Sequence, residues 1–201
     1  MKTQHIYVCI VTFAALLSGC GRTAINKNQY ALAVPKEITK QPQPLNMILE
    51  VRPFTINSKF SSRQLVYRVS EFRYVPDYYD EFLVPPAVMI TEATRNWLTD
   101  AGMFTRVLEP GSSMSPSYVL EGSIAECYAD IRDKASPYAV LKMQLFLMKR
   151  DKVVDSLVRG YTYDTKERMK DTSGESFVDA LNRCLQIVLQ SMQVDISGLQ
   201  Q

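Results

Sequence analysis

Leu141, Met143, Leu145 and Leu147 alternate with Lys142, Gln144, Phe146 and Met148. That period of two suits an extended strand with one buried face and no regular helix. The charged stretch 149–152 (KRDK) then leads into a second extended run, 153–163, which predicts a β-hairpin. Further strands are predicted over 45–54, 65–74, 104–108 and 118–128. In the first, Leu49 and Val51 share one face, and Ile48 and Glu50 the other. In the last, Leu120, Ile124 and Tyr128 are in phase, with Gly122 between them. Residues 57–63, 111–116 and 130–137 are polar and are predicted as turns or loops.

Only two segments repeat at helical spacing. Pro86 fits a first helical position, and Gly102 fits the position just past the end, where positive φ is wanted. Between them Ile90, Ala93, Trp97 and Ala101 form one face, opposite Glu92, Arg95, Asn96 and Thr99. The lone tryptophan therefore belongs to the core. Ser173 can cap a second helix with Glu175 in its first turn. Its apolar stripe is Phe177, Leu181, Cys184, Leu185, Val188 and Met192, with Asp179, Asn182, Gln186, Gln190 and Gln193 facing water. Strands, a helix, four strands and a final helix read as α/β or α+β, one compact domain with one mixed sheet. Two helices cover one face of such a sheet, so its other face or an edge is left to solvent or to a partner.

Upstream, an uncharged apolar run of about twelve residues (6–17) ends in Leu17-Ser18-Gly19-Cys20. It has the length of a secretory signal core and falls short of the roughly twenty residues needed to span a bilayer. A small-residue site ending in cysteine resembles a bacterial lipobox, with cleavage before Cys20 and diacylglyceryl transfer to its thiol. Two or three acyl chains hold a protein permanently at a membrane. Gly21 follows the cysteine in place of an inner-membrane retention aspartate, which points to the periplasmic side of the outer membrane. Residues 20–44 are expected to serve as lipidated tether and proline-bearing connector, with the folded domain over 45–201. Tyr30-Ala31-Leu32 is short and alternating and could dock on the sheet.

Loss of residues 1–19 takes Lys+Arg from 23 to 22, against 21 Asp+Glu, leaving no electrostatic case for nucleic acid. His5 is the only histidine and is lost with the leader, which removes Ser-His, Cys-His and histidine-zinc chemistry. No metal or cofactor and no enzymatic activity is expected. Cys127 and Cys184 remain after Cys20 is lipidated. Counting alone allows them to pair. The strand phase that puts Cys127 with Glu121 and Ser123, opposite Leu120 and Ile124, argues against it. The run 72–82 (FRYVPDYYDEF) is the most distinctive local composition. Tyr74, Tyr78, Tyr79 and Phe82 are read as an aromatic loop at a partner interface, against the alternative that half of these rings pack under the first helix. Asp77, Asp80 and Glu81 are read as solvated. Phe146 and Met148, apolar on an otherwise polar strand face, are weaker contact candidates.

Taken in order, several marks resemble the ABC-type transport auxiliary lipoproteins of paraquat-inducible and related MCE lipid-transport systems. They are Cys20, Tyr30-x-Leu32, residues 49–53 (LEVRP), residues 63–68 (RQLVYR), Pro85-Pro86 after the aromatic run, and Tyr118-x-Leu120 with Ile124. The family usually has tryptophan shortly before the proline pair, and here Phe82 stands there. The resemblance implies a domain akin to the N-terminal domain of the Tol-Pal β-propeller protein. It implies a non-enzymatic docking role beside a permease, an ATPase and an MCE-domain protein. The alternative is an envelope-assembly lipoprotein supporting insertion of lipopolysaccharide or outer-membrane proteins.

Overall fold

The computed structural model describes residues 26–35 and 37–198. The leader and the lipobox with Cys20 lie outside these residues. The elements are β1 (Asn28–Tyr30), β2 (Leu45–Val51), β3 (Thr55–Ile56), β4 (Gln64–Arg68), β5 (Tyr74–Phe82), α1 (Pro86–Asp100), β6 (Phe104–Leu108), β7 (Tyr118–Asp130), β8 (Tyr138–Lys149), β9 (Ser156–Arg168) and α2 (Gly174–Ser197).

The sheet is organised around β7. On one side β8 and β9 follow as an antiparallel hairpin, the one expected from the alternation at 141–148. On the other side β7 takes three parallel neighbours in succession: β2 at its start, β3 at its middle and β4 at its end. The sheet therefore forks. One branch continues from β2 to β6, and the other from β4 through β5 to β1. Both helices sit on one face, over a single cluster that joins Leu49, Leu120, Met143 and Leu145 to Ile90, Leu98, Phe177 and Leu185. The mixed sheet with two helices is thus as expected.

The ends of α1 follow the sequence signals. Pro86 occupies the first helical position. At the other end Gly102 has φ +63°, Gly102 N–H donates to Thr99 O at 3.1 Å, and Met103 N–H donates to Leu98 O at 3.4 Å. These are the two bonds of a Schellman termination, closed by buried Met103 against buried Leu98. Ser173 Oγ accepts from Ser176 N–H at 3.2 Å, which caps α2.

Three expectations are corrected. The strand expected over 65–74 stops at Arg68, and Val69 N–H donates to Arg73 O at 3.0 Å, which turns the chain. The aromatic run is then itself a strand, β5, rather than a loop. Tyrosine and valine fit a pleated edge, and Pro76 is tolerated where the ladder is about to break. Second, β7 carries a bulge between Ile124 and Glu126. One extra residue reverses the alternation, so Cys127 joins Leu120 and Ile124 on the helix-covered face. Cys127 and Cys184 are thus both buried in the same core, and both are free thiols. Third, Gln193 does not face water. It is 6% exposed, and its Oε1 accepts from Trp97 Nε1 at 3.0 Å.

The described residues of the proline-bearing stretch 31–44 strap the helix layer. Ala33 N–H donates to Asn182 Oδ1 at 2.9 Å, Gln41 N–H to Ala101 O at 2.9 Å, and Gln193 Nε2 to Thr39 O. Leu32, Val34 and Ile38 pack against the core as partly buried side chains.

Candidate functional site

The corner formed by β1, β5 and the start of α1 holds three of the six contact candidates, Tyr78, Tyr79 and Phe82, with the carboxylates Asp77, Asp80 and Glu81. β1 pairs in parallel with β5, matching Asn28 to Asp80 and Tyr30 to Phe82, so Tyr30 does dock on the sheet, while Leu32 lies past the strand and faces α1. Between β4 and β5 the register jumps: Gln64 faces Glu81, but Val66 faces Pro76. Residues 77–80 therefore bulge out opposite Leu65. Asp77 Oδ1 shapes this bulge by accepting from Tyr79 N–H at 2.8 Å and Asp80 N–H at 3.0 Å.

The other two carboxylates pin β1 to β5. Asp80 Oδ1 accepts from Asn28 Nδ2 at 2.8 Å and from Tyr30 Oη at 3.4 Å. Glu81 accepts from Gln29 Nε2 at 3.0 Å, Lys27 Nζ at 3.1 Å and Arg63 Nη2 at 2.5 Å. Hydrogen bonds from Gln29 and Lys27, with the Arg63 charge behind them, hold the Glu81 carboxyl below the usual carboxylate range. Burial and the neighbouring Asp80 carboxylate push Tyr30 up. These acids are structural fastenings rather than solvated loop residues, and each is engaged with local donors.

The aromatic candidates separate. Tyr78 and Tyr79, on the bulge, are 54% and 60% exposed and meet edge to face with centroids 5.1 Å apart. Lys27 Nζ lies 5.7 Å over the Tyr78 ring. Phe82 does not belong with them. It is 2% exposed, with its ring 6.4 Å from that of Phe177. The alternation of β5 after the bulge turns it inward. Tyr74 is half-buried, 5.3 Å from Tyr128 and 6.0 Å from Phe60, and so serves a small aromatic cluster at the opposite end of β5. Phe146 and Met148 are half-buried on the helix-free face, with the Phe146 ring against Gly160. Phe146 pairs with Glu121, while β4 meets β7 at Ala129 and Asp130. Leu65, opposite the tyrosine bulge, lies two residues before Tyr67 and so about level with Cys127, which at ~3.3 Å per residue places Phe146 roughly 20 Å along β7 from the aromatic corner. These candidates do not form one surface.

An apolar feature that no sequence pattern marks begins just past the end of β5, at Leu83 and Val84. A groove of about 530 Å³ runs between the strap and α1. Its floor is Met89, Ala93 and Trp97, and Leu32, Val34 and Ile38 of the strap form a wall. Leu83, Val84 and Val88, at 51%, 37% and 44% exposure, continue it as an open apolar rim. Glu92, Asn96 and Asp100 edge its other side. Two consecutive apolar residues between a strand and a helix cap, and Val88 off the buried stripe, were the only sequence signals. Neither is periodic.

Among the described residues no group of His, Cys, Asp and Glu could hold a metal ion, and no helix is long and apolar enough to cross a membrane. Burial pushes the Cys127 thiol up to about 12 and the Cys184 thiol up to about 11, the reverse of an activated nucleophile. On the helix-free face Arg52 reaches Glu121, Asp155 and Glu50, tying the β8–β9 turn to β2.

Solved structures share this fold at low identity. Protein XCC0632 from Xanthomonas campestris, of family DUF330, superposes with TM-score 0.71 at 16% identity, covering 82% of this chain and 92% of that one. The hypothetical protein CT253 from Chlamydia trachomatis gives 0.53 at 8% identity, covering 76% and 98%. Identities this low speak for the fold alone. No curated protein sequence is significantly similar to the chain. A family model spans residues 30–193, starting at the docked β1 and ending at Gln193 on α2. The chain belongs to the family of ABC-type transport auxiliary lipoprotein components.

Proposed function

We propose that this chain is the non-enzymatic docking lipoprotein of an MCE-associated ABC system that moves lipid across the envelope. In this reading Cys20 carries the lipid anchor, and the domain stands on the periplasmic side of the outer membrane. It meets an MCE-domain protein, which continues to a permease and an ATPase. The kinship with the N-terminal domain of the Tol-Pal propeller protein belongs to the same reading.

The observation that carries it is the tyrosine pair. Tyr78 and Tyr79 are exposed, yet they stand on a bulge whose backbone is fastened by Asp77 and whose flank is fastened by Asp80 and Glu81. Large rings held out on a rigid support lose little freedom on binding, which suits interface anchors. Such anchors commonly contribute at least ~2 kcal/mol when truncated. Affinity capture of the native lipoprotein with identified partners is the test. Tyr78→Ala with Tyr79→Ala should weaken capture of the transport components at least about tenfold, a loss of about 1.4 kcal/mol or more. Wild-type capture by the folded double variant would remove the tyrosine pair from the interface.

A further inference from the structure

We infer that the groove between the strap and α1 seats one acyl chain of the lipid carried on Cys20. The inference rests on the reading of Cys20 as a lipidated N-terminus. Three observations select this occupant. The first is the lining. Met89, Ala93 and Trp97 recur at four-residue spacing along α1, and small Ala93 opens the floor between two large side chains. The volume of about 530 Å³ lies within the ~300–1,000 Å³ of small-molecule sites, and the apolar rim opens the groove to solvent along one side.

The second is reach. Eight residues separate Cys20 from Asn28, a span of at most roughly 26 Å at about 3.3 Å per residue. The wall begins at Leu32, four residues beyond Asn28 and so at most roughly 13 Å along the strap. A lipid on Cys20 can therefore return to the groove with chain to spare. The third is charge. Glu92 edges the groove. Its carboxylate repels the phosphate of a phospholipid entering from the leaflet, whereas the glyceride on a modified cysteine is neutral. With one chain in the groove and the others in the bilayer, α1 and the tyrosine pair are held at a fixed height and orientation. A free tether alone gives neither.

The test uses the full chain in its own envelope. Cells are fed a diazirine-bearing fatty acid and irradiated, and the lipoprotein is purified and mapped by mass spectrometry. The expected result is label on Cys20 together with an intramolecular adduct on the groove residues Val34, Val88 or Ala93. Ala93→Trp, which fills the floor, and Val88→Glu, which charges the rim, should each lower that adduct several-fold. Label on Cys20 with adducts only on bulk lipid, elsewhere on the chain or on a second copy would overturn the inference while leaving the anchor intact. An unlabelled Cys20 would remove the anchor reading and the inference together.

Discussion

Gln193→Leu is the most informative single perturbation of this fold. It keeps the volume and removes the polar head that joins both helices to the strap. In the native protein Gln193 Oε1 accepts from Trp97 Nε1 at 3.0 Å, in a site where Trp97 is 3% and Gln193 6% exposed. Thr39, the second partner, is exposed and regains water when its bond is lost. The indole N–H has no such recourse, and stranding one buried donor costs about 1–3 kcal/mol. For a domain of this size each kcal/mol lowers Tm by about 2–4 °C. Trp97→Phe removes the N–H itself, so in the double variant no donor is stranded. Its cost should fall short of the sum of the single costs by about 1 kcal/mol or more. Urea unfolding followed by circular dichroism measures all four corners, and limited proteolysis should show faster cleavage within 31–44 in Gln193→Leu. Additivity within about 0.5 kcal/mol would refute the claim that this bond holds the layers together.

Further outcomes follow from the same geometry. Phe82→Ala should cost about 3–5 kcal/mol in denaturant unfolding, while Tyr78→Ala with Tyr79→Ala should stay within about 0.5 kcal/mol of wild type per site. Gly122→Ala should cost about 1–3 kcal/mol, because the added Cβ would stand 2.5 Å from the Phe54 ring, and Phe54→Leu should recover part of that loss. Cys127 and Cys184 should resist iodoacetamide at neutral pH in the native state and react fully in denaturant, because burial raises both thiols. The Glu81 carboxyl is lowered in the folded state, so its contribution is complete above the usual carboxylate range and is lost as pH falls through its lowered value. Hydrogen-exchange protection of the β1–β5 amides should therefore drop on acidification. Glu81→Gln should flatten that dependence.

The elements with local chemical punctuation were legible. Pro86 and Gly102 bracket α1, Ser173 starts α2, and the 141–148 alternation with its charged turn gives the hairpin, because each signal acts over a few residues. Long-range determinants were not. Nothing in residues 118–130 announces the bulge at Ala125, yet it alone moves Cys127 into the core. Gln193 falls on the buried stripe by spacing, four residues after Leu189 and three before Ile196, but its amide reads as solvent-facing until Trp97 is seen opposite. The run 72–82 mixes rings, acids and a proline in a way that fits loop and edge strand equally. Pairing with β4 on one side and with β1, 52 residues upstream, on the other decides between them. Tyr78 and Tyr79 stand exposed while Phe82 is buried, a division that the composition of the run does not show, and the groove needed the strap to exist.

Site-specific photocrosslinking in native envelopes asks whether the Tyr78–Tyr79 corner meets a component of an ABC transport system. Tyr79→p-benzoylphenylalanine places the probe on a side chain that is 60% exposed and outside the core. A discrete adduct with an MCE-domain protein is expected, and none when the same probe is placed at Phe72, which is 90% exposed at the β4–β5 turn. Adducts at Tyr79 confined to outer-membrane assembly machinery, or to no protein at all, would contradict it.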